Sequence, residues 1–524
     1  MSAALEDLPN DVAALRALLL AERAHHASEL AERDSRLERL MAMLQTLRRA
    51  QFGRRSEKFD PAQLALALED LEIAVAAAQA DEEKHDKVRS TPRRAETKRV
   101  PLPAHLPRIE QVLEPDSTAC PCCNGAMHRI GEDRSERLDV IPAQYRVLVT
   151  RRPKYACRAC EGAVVQALAP ARLIEGGLPT EATVAHVLVN KYANHLPLYR
   201  QWQILARQGI DVDRSNLALW TGRGAFLLAP VVHRMLERLK SSAKLFCDET
   251  RAPVLDPGRG RTKTGYLWAI ARDDRPWGGA DPPAVVYLYA PGRGGEHALR
   301  HLAGFAGVLQ VDGYTGYNAL ANPARAGGAV ILAYCWSHFR RQFYDIAKGG
   351  NAPIASQTLA RIAQLYAIED SIRGQPAPQR QAVRQQRTRP LVDELFAWLE
   401  VQLRLVPKGA KIADAIRYGF NHQDGLRRFL DDGRIEIDTN TVERTIRPIA
   451  LNRKNSLFAG HDEGAVHWGV VASLVESCKL NDIEPQAYLT DILTKLVDGW
   501  PMRRLDELLP WVWAQQHGAD KLGR

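Results

Sequence analysis

From residue 11 to residue 50 the chain carries apolar side chains at helical spacing, with no Gly or Pro. Leu30, Leu37 and Leu44 repeat every seven residues, and Leu40 and Leu47 form the complementary row, the pattern of a short coiled coil. His26 and Arg33 fall on that second row and weaken its first half, so a single amphipathic helix packed on its own protein is the alternative. The basic break Phe52-Gly53-Arg54-Arg55-Ser56-Glu57-Lys58 follows, then an Ala- and Leu-rich helix over roughly residues 61–81. Residues 82–99 are almost devoid of apolar side chains and cannot bury enough surface to offset their ordering entropy, so they read as a flexible basic linker.

Helical patterning returns over residues 179–228. One helix covers residues 197–205, Gly209 marks a turn, and a second helix starts near Ser215, with Ser215 or Asp213 as its N-cap. Helix, Gly turn and capped helix match a helix-turn-helix DNA reader; an ordinary helical hairpin between domains is the alternative. From residue 243 the pattern changes to short apolar runs between turns rich in Gly and Pro. Strands are expected up to Asp248, over 265–271 and 284–289, up to Asp312, and over 329–334. A helix near 295–303 precedes the fourth strand, and another begins near Ser337. The order β-β-β-α-β-β-α is that of an RNase H-like fold. Gly258–Gly265 superficially resembles a phosphate loop but precedes a strand where such a loop follows one, so nucleotide binding is set aside. Residues 350–430 read as a helical, strongly basic insertion; Arg380, Arg384, Arg387 and Arg389 cluster there as a face for DNA phosphates or for solvent.

The cysteines change the picture next. Cys120-Pro121-Cys122-Cys123 and Cys157-Arg158-Ala159-Cys160 are two knuckles suited to a tetrahedral Zn²⁺ site with Cys120, Cys123, Cys157 and Cys160 as ligands. Cys122 competes with Cys123, and a redox pair or unrelated thiols are the alternatives. Residues 145–149 and 154–155 read as strands of this zinc ribbon. The chain has 524 residues, 45% hydrophobic and 25% charged, and a net charge of +9 that favours a polyanionic partner. No apolar stretch is long enough for a membrane span and the N-terminus lacks a signal-peptide layout, so a cytoplasmic, nucleoid-associated location is expected, with no membrane partner.

Three acids then stand out. Asp248 and Asp312 each end an apolar run, and Glu443 sits at the start of a helix. Acids placed at the carboxyl edge of a sheet face the place where ligands of open α/β sheets gather. Such a triad can hold two Mg²⁺ (or Mn²⁺) ions about 3.5–4 Å apart, which clamp the attacking and leaving oxygens of a phosphodiester. A capping Asp, a turn Asp and a surface Glu paired with Arg447 four residues on are the bland alternatives. If Glu443 binds metal, Arg444, Arg447, Arg453 and Lys454 are placed to grip flanking phosphates, and Arg200, Arg214 and Asn216 to contact DNA from the helix-turn-helix. His338, after the last core strand, could approach the same site.

Together these blocks resemble transposases of the insertion-sequence-66 family over nearly the whole chain. The resemblance rests on residues 52–58, the two knuckles, Lys191-Tyr192 with His195-Leu196-Pro197-Leu198-Tyr199-Arg200, Asp248-Glu249-Thr250 and Asp312-Gly313-Tyr314. It continues through Cys335-Trp336-Ser337-His338-Phe339-Arg340-Arg341, Asp438-Thr439-Asn440-Thr441-Val442-Glu443-Arg444 and the stretches 453–460 and 485–489. Thr439 stands where that family's pattern leads one to expect Asn, and the extra Cys122 blurs the first knuckle. The resemblance implies a DDE transposase with Asp248, Asp312 and Glu443 as Mg²⁺ ligands. Its DNA substrates are the element's terminal inverted repeats and target DNA, with accessory proteins of the same element as partners.

A multidomain α/β chain is therefore expected. It starts with a leucine-zipper-like coiled coil (1–60), a helix and basic linker (61–107), a zinc-binding module (108–172) and a helix-turn-helix-like domain (173–240). An RNase H-like catalytic domain (241–475) with a helical insertion at about 350–430 and a C-terminal helical element (476–524) complete it. Two DNA ends must meet, so a homo-oligomer is expected. The rival readings are an RNase H-like nuclease without strand transfer and a non-catalytic zinc and helix-turn-helix DNA-binding protein. The acidic triad argues against the latter, since a pure binder gains nothing from clustering three carboxylates near DNA, and like charges beside a polyanion are costly unless metal neutralises them.

Overall fold

The structure is a computed structural model and describes residues 11–17, 19–21, 23, 144–156, 164–256 and 261–518. The zinc-ligand candidates Cys120, Cys122, Cys123, Cys157 and Cys160, the heptad leucines and the linker lie outside the described residues. The chain divides into units 1–143 and 144–524, and the second holds the central sheet and the helices around it.

Two short antiparallel strands, β1 (Lys154–Ala156) and β2 (Val164–Gln166), come first. Residues 145–149, expected as a strand, form none, and Val147 is 88% exposed; no described strand lies alongside to satisfy the backbone. Three helices follow: α1 (Glu181–Tyr192), α2 (Leu198–Arg207) and α3 (Arg214–Lys240). Gly209 adopts a positive φ of 74° at the turn between α2 and α3, in keeping with its expected place. Asp213 occupies the N-cap position of α3 but its side chain makes no capping bond, and α3 runs for 27 residues.

The central sheet has strand order β5-β4-β3-β6-β7, where β3 is Lys244–Asp256, β4 Arg261–Arg272, β5 Ala284–Ala290, β6 Val308–Val311 and β7 Ile331–Tyr334. The β3-β4-β5 meander is antiparallel, whereas β6 and β7 run parallel to β3. Helix α4 (Gly295–His301) precedes β6, and α5 (Trp336–Ala347) follows β7. Asp248 was expected at the end of its strand, yet β3 continues to Asp256. The cause is the β4 hairpin, which pairs with β3 from Phe246 to Asp256, while parallel β6 pairs only with Lys244–Phe246. Asp248 thus lies just past the end of the parallel pairing, on a strand that extends beyond it.

The insertion consists of α6 (Pro353–Ser371), α7 (Ala377–Val383), α8 (Arg389–Leu405), α9 (Lys411–Asn421) and α10 (Gln423–Asp431), with a π-helical turn at Arg384–Thr388. It closes a second apolar core over Trp336, Phe339, Phe343, Phe396 and Phe429. Its expected basic face is largely absent. Arg380 and Arg384 are buried against Glu369 and Glu436, and Arg389 pairs with Asp431, because Glu and Asp on neighbouring elements give those cations partners inside the fold.

Helix α11 (Asn440–Ser456) carries Glu443 in its first turn. Val442, Thr445, Ile449 and Asn452 form its buried stripe at helical spacing, and the Tyr287 hydroxyl of β5 donates to the Thr445 carbonyl at 2.5 Å. Helices α12 (Asp462–Leu480), α13 (Pro485–Val497) and α14 (Pro510–Gln516) complete the main core. The outer edge of β5 is covered by α12: the amides of Val285 and Tyr287 donate to Ser477 Oγ at 3.1 Å and Ser473 Oγ at 2.8 Å. A Cβ on Gly469 would lie 2.6 Å from the Tyr287 carbonyl, so the helix needs glycine there to approach this closely. No helix among the described residues is long and apolar enough to cross a membrane.

Candidate active site

Successive side chains of β3 point to opposite faces of the sheet, so Asp248 and Thr250 share the face that α11 covers, and Cys247 and Glu249 look the other way. Asp312 follows β6, the parallel neighbour of β3, and Glu443 is presented by the first turn of α11. Burial pushes the Asp248 carboxyl up to about 8, reinforced by the negative charges of Glu249, Asp312 and Glu443. The three acids expected from sequence therefore share one electrostatic site.

Each is held by its own local structure. Asp248 Oδ1 accepts from the Glu249 amide at 2.8 Å, and Asp312 Oδ1 from the Tyr314 amide at 2.8 Å. Glu443 Oε1 accepts from Thr439 Oγ1 at 3.3 Å and lies 3.7 Å from His338 Nδ1. Thr439, at the position where Asn was expected, thus still braces the acid. One oxygen of each Asp is taken by the backbone, and hard carboxylate oxygens crowded together suit Mg²⁺ or Mn²⁺; this donor set fits such ions. Cys335, His338 and Glu443 place their ligand atoms within 4.8 Å of one another. Burial drives the Cys335 thiol up to about 12, and its sulfur accepts from the Thr439 amide at 3.2 Å.

Four IS66 models match this chain: "Transposase IS66 family" over residues 176–467, "zinc-finger binding domain of transposase IS66" over 117–161, "IS66 C-terminal element" over 473–511 and "Transposase C of IS166 homeodomain" over 39–110. The chain belongs to the IS66 transposase family. Among similar proteins of Sinorhizobium fredii (strain NBRC 101917 / NGR234), "Uncharacterized protein y4qI" is 44% identical over 96% of this chain and 97% of its own length. "Uncharacterized protein y4jD" is 44% identical over the full length of both, and "Uncharacterized protein y4hP" 36% identical over 91% and 89%. The zinc-finger match spans both cysteine knuckles, and the transposase match spans Asp248, Asp312 and Glu443.

The cationic candidates of this transposase separate into distinct settings. Arg444, Arg447 and Lys454 are exposed on α11, and Arg447 makes no ion pair with Glu443. Arg453 instead turns onto β3, where Nη1 donates to Thr250 Oγ1 at 3.0 Å and to the Arg251 carbonyl. Arg200 and Arg214 are exposed, Arg214 lies over the Trp202 ring, and Asn216 is half-buried.

Sequence reasoning missed a second set of residues around the acids. Glu249, with a fully buried side chain, accepts from the Tyr317 hydroxyl and from Arg293. Burial raises its carboxyl, against the pull of those two donors. From the insertion, Tyr418 donates to the Asp312 carbonyl at 2.9 Å, and His422 Nε2 lies 3.2 Å from the Gly313 carbonyl. An acid adjacent to Asp248 and a lone Arg in Pro291-Gly292-Arg293-Gly294-Gly295 were the available signals; nothing local pointed to Tyr418.

Proposed function

We propose that this chain is a DDE transposase that binds the terminal repeats of its element, cleaves the DNA there and joins the freed 3′-hydroxyl to target DNA. The observation that carries the reading is the gathering of Asp312 and Glu443, from a strand end and a later helix, around the buried Asp248 of β3 as one acidic site. The mixed sheet, with an antiparallel meander followed by two parallel strands, supports an RNase H-like core.

In this reading the free oxygens of Asp248, Asp312 and Glu443 hold two divalent cations. Bound there, the cations supply Lewis-acid activation of the attacking oxygen and charge stabilisation of the leaving one. Thr439 keeps Glu443 in place, and the backbone amides of Glu249 and Tyr314 fix the two aspartates. Exposed Arg444, Arg447 and Lys454 offer phosphate contacts beside the site, while Arg200, Arg214 and Asn216 offer them from α2 and α3. Cys120, Cys123, Cys157 and Cys160 supply four thiolates for a structural Zn²⁺, and the N-terminal heptads supply self-association. Domains at 1–60, 61–107, 108–172, 173–240, 241–475 and 476–524 divide this labour, and accessory proteins of the element complete the assembly.

The test is cleavage and strand transfer on DNA carrying the element's ends, with Mg²⁺ or Mn²⁺, comparing wild type with Glu443→Gln. Metal-dependent joined products that vanish in the variant support the transposase. Cutting without joining makes it a nuclease, and end binding with no product, accessory proteins included, makes it a binder.

A further inference from the structure

Arg293 is held in a way that its surface location does not require. Its Nε donates to Glu249, whose side chain is fully buried, and the same carboxylate takes the Tyr317 hydroxyl on its other oxygen. The guanidinium lies 3.8 Å from the centroid of the Tyr314 ring, and the Tyr314 hydroxyl donates back to the Arg293 carbonyl at 3.0 Å. Yet the Arg293 side chain stays 42% exposed, with Nη2 3.9 Å from Asp312 Oδ2. Its two Nη groups make no hydrogen bond to any described residue. A guanidinium has five N–H donors in a rigid fork, so a buried acid on Nε and a ring on one face fix its plane and leave donors for a ligand.

We propose that Arg293 is a DNA-contacting residue that grips a backbone phosphate at the Asp312 side of the active site, with Glu249, Tyr317 and Tyr314 as its positioning residues. The inference rests on the transposase reading for the identity of the ligand. Neutralising Glu249 alone would be served by an arginine drawn into the core; this one is tethered inside and presented outside, next to a catalytic carboxylate. Fixing the fork beforehand removes the ordering entropy that a free surface arginine loses on binding.

The experiment measures affinity of the full-length chain for a fluorescent duplex of mixed sequence across about 50–200 mM salt, with Ca²⁺ replacing Mg²⁺. The variants are Arg293→Lys, Arg293→Ala and the double change Arg293→Ala with Glu249→Gln, which leaves no unpaired buried carboxylate if the single change fails to fold. Loss of one phosphate contact weakens binding about tenfold and reduces the slope of log K against log salt by about 1 in both Ala variants, with Arg293→Lys close to wild type in slope. A wild-type slope in the folded double variant, with only the melting temperature changed, overturns the role of Arg293 and leaves the transposase reading standing. No binding by the wild type, to this duplex or to one carrying the element's ends, overturns both.

Discussion

Arg384 and Glu369 meet as a two-bond pair inside the helical insertion, Nε to Oε1 at 2.8 Å and Nη2 to Oε2 at 2.6 Å, with Arg384 fully buried. Arg380 extends the pair to Glu436 at 2.7 Å. The backbone of Glu436 is in turn bound on both sides by the buried side chain of Gln310, at 2.9 Å to its carbonyl and 2.9 Å to its amide. Gln310 lies on β6, just before Asp312. The insertion is therefore wired through a buried polar network to the strand that presents Asp312.

Removing one member of such a network leaves a buried charge without its partner. Glu369→Gln is expected to lower unfolding stability by about 3–5 kcal/mol, read as a shift in the denaturant midpoint. The salt dependence of DNA binding should stay at the wild-type slope, since Arg384 faces Glu369 and two carbonyls. A loss below about 1 kcal/mol with a weakened salt slope would restore the DNA-facing reading of these arginines.

Short apolar runs between turns made the five strands legible and helical spacing most helices, because these patterns lie among neighbours a few residues apart. The positions of two acids were legible for the same reason: Asp312 sits where a short apolar run hands over to a turn, and Glu443 at the start of a helix. What the sequence hid depends on partners far along the chain. Arg380 and Arg384 look like a basic face until Glu369 and Glu436 are brought beside them, and Asp248 looks like a strand end until β4 extends its strand. Tyr418 reaches Asp312 across 106 residues, a separation no local pattern encodes.

The loop after β6 gives a sharper test of the insertion's role. Gly313 has φ 97°, and a Cβ there would lie 2.8 Å from the Tyr418 hydroxyl and 3.1 Å from His422 Cδ2. Gly313→Ala combines backbone strain with that clash, so a loss of about 1–3 kcal/mol in stability and a marked fall in DNA cleavage are expected. Tyr418→Phe removes only the bond to the Asp312 carbonyl and should lower stability by about 0.5–1.5 kcal/mol. If Tyr418→Phe cleaves DNA at the wild-type rate, the insertion does not position Asp312 through this contact.

Asp506 ties the C-terminal element to α3, accepting from Arg238 Nε and Nη2 at 2.7 Å each and from Arg234 Nη2 at 3.0 Å. Those guanidinium bonds hold its carboxyl below the ordinary range, so it binds a proton less readily folded than unfolded. Its contribution is present above the unfolded value near 3.8 and is lost as pH falls through the lower folded value. The partners are substantially exposed and screened, so Asp506→Asn should remove no more than about 1 kcal/mol at neutral pH. The gap between wild type and variant in thermal unfolding should close on acidification below that range; a gap that widens instead would contradict the pairing.

Metal occupancy can be tested without DNA. Asp312 and Glu443 both bear electrostatically on buried Asp248, and a cation bound among the three acids stabilises the folded state by mass action, about 2.7 kcal/mol at a hundredfold excess over its dissociation constant. Adding Mg²⁺ or Mn²⁺ to the chain as purified should raise the melting temperature. Asp312→Asn and Glu443→Gln each remove a negative charge and, in the proposed reading, a ligand, so both should lose most of that gain. Cys335→Ser removes a buried thiol whose sulfur already accepts from the Thr439 amide and should retain the gain. An equal gain in Glu443→Gln would place the cation away from these acids, whereas loss in Cys335→Ser with retention in Asp312→Asn would move it to the Cys335, His338 and Glu443 group.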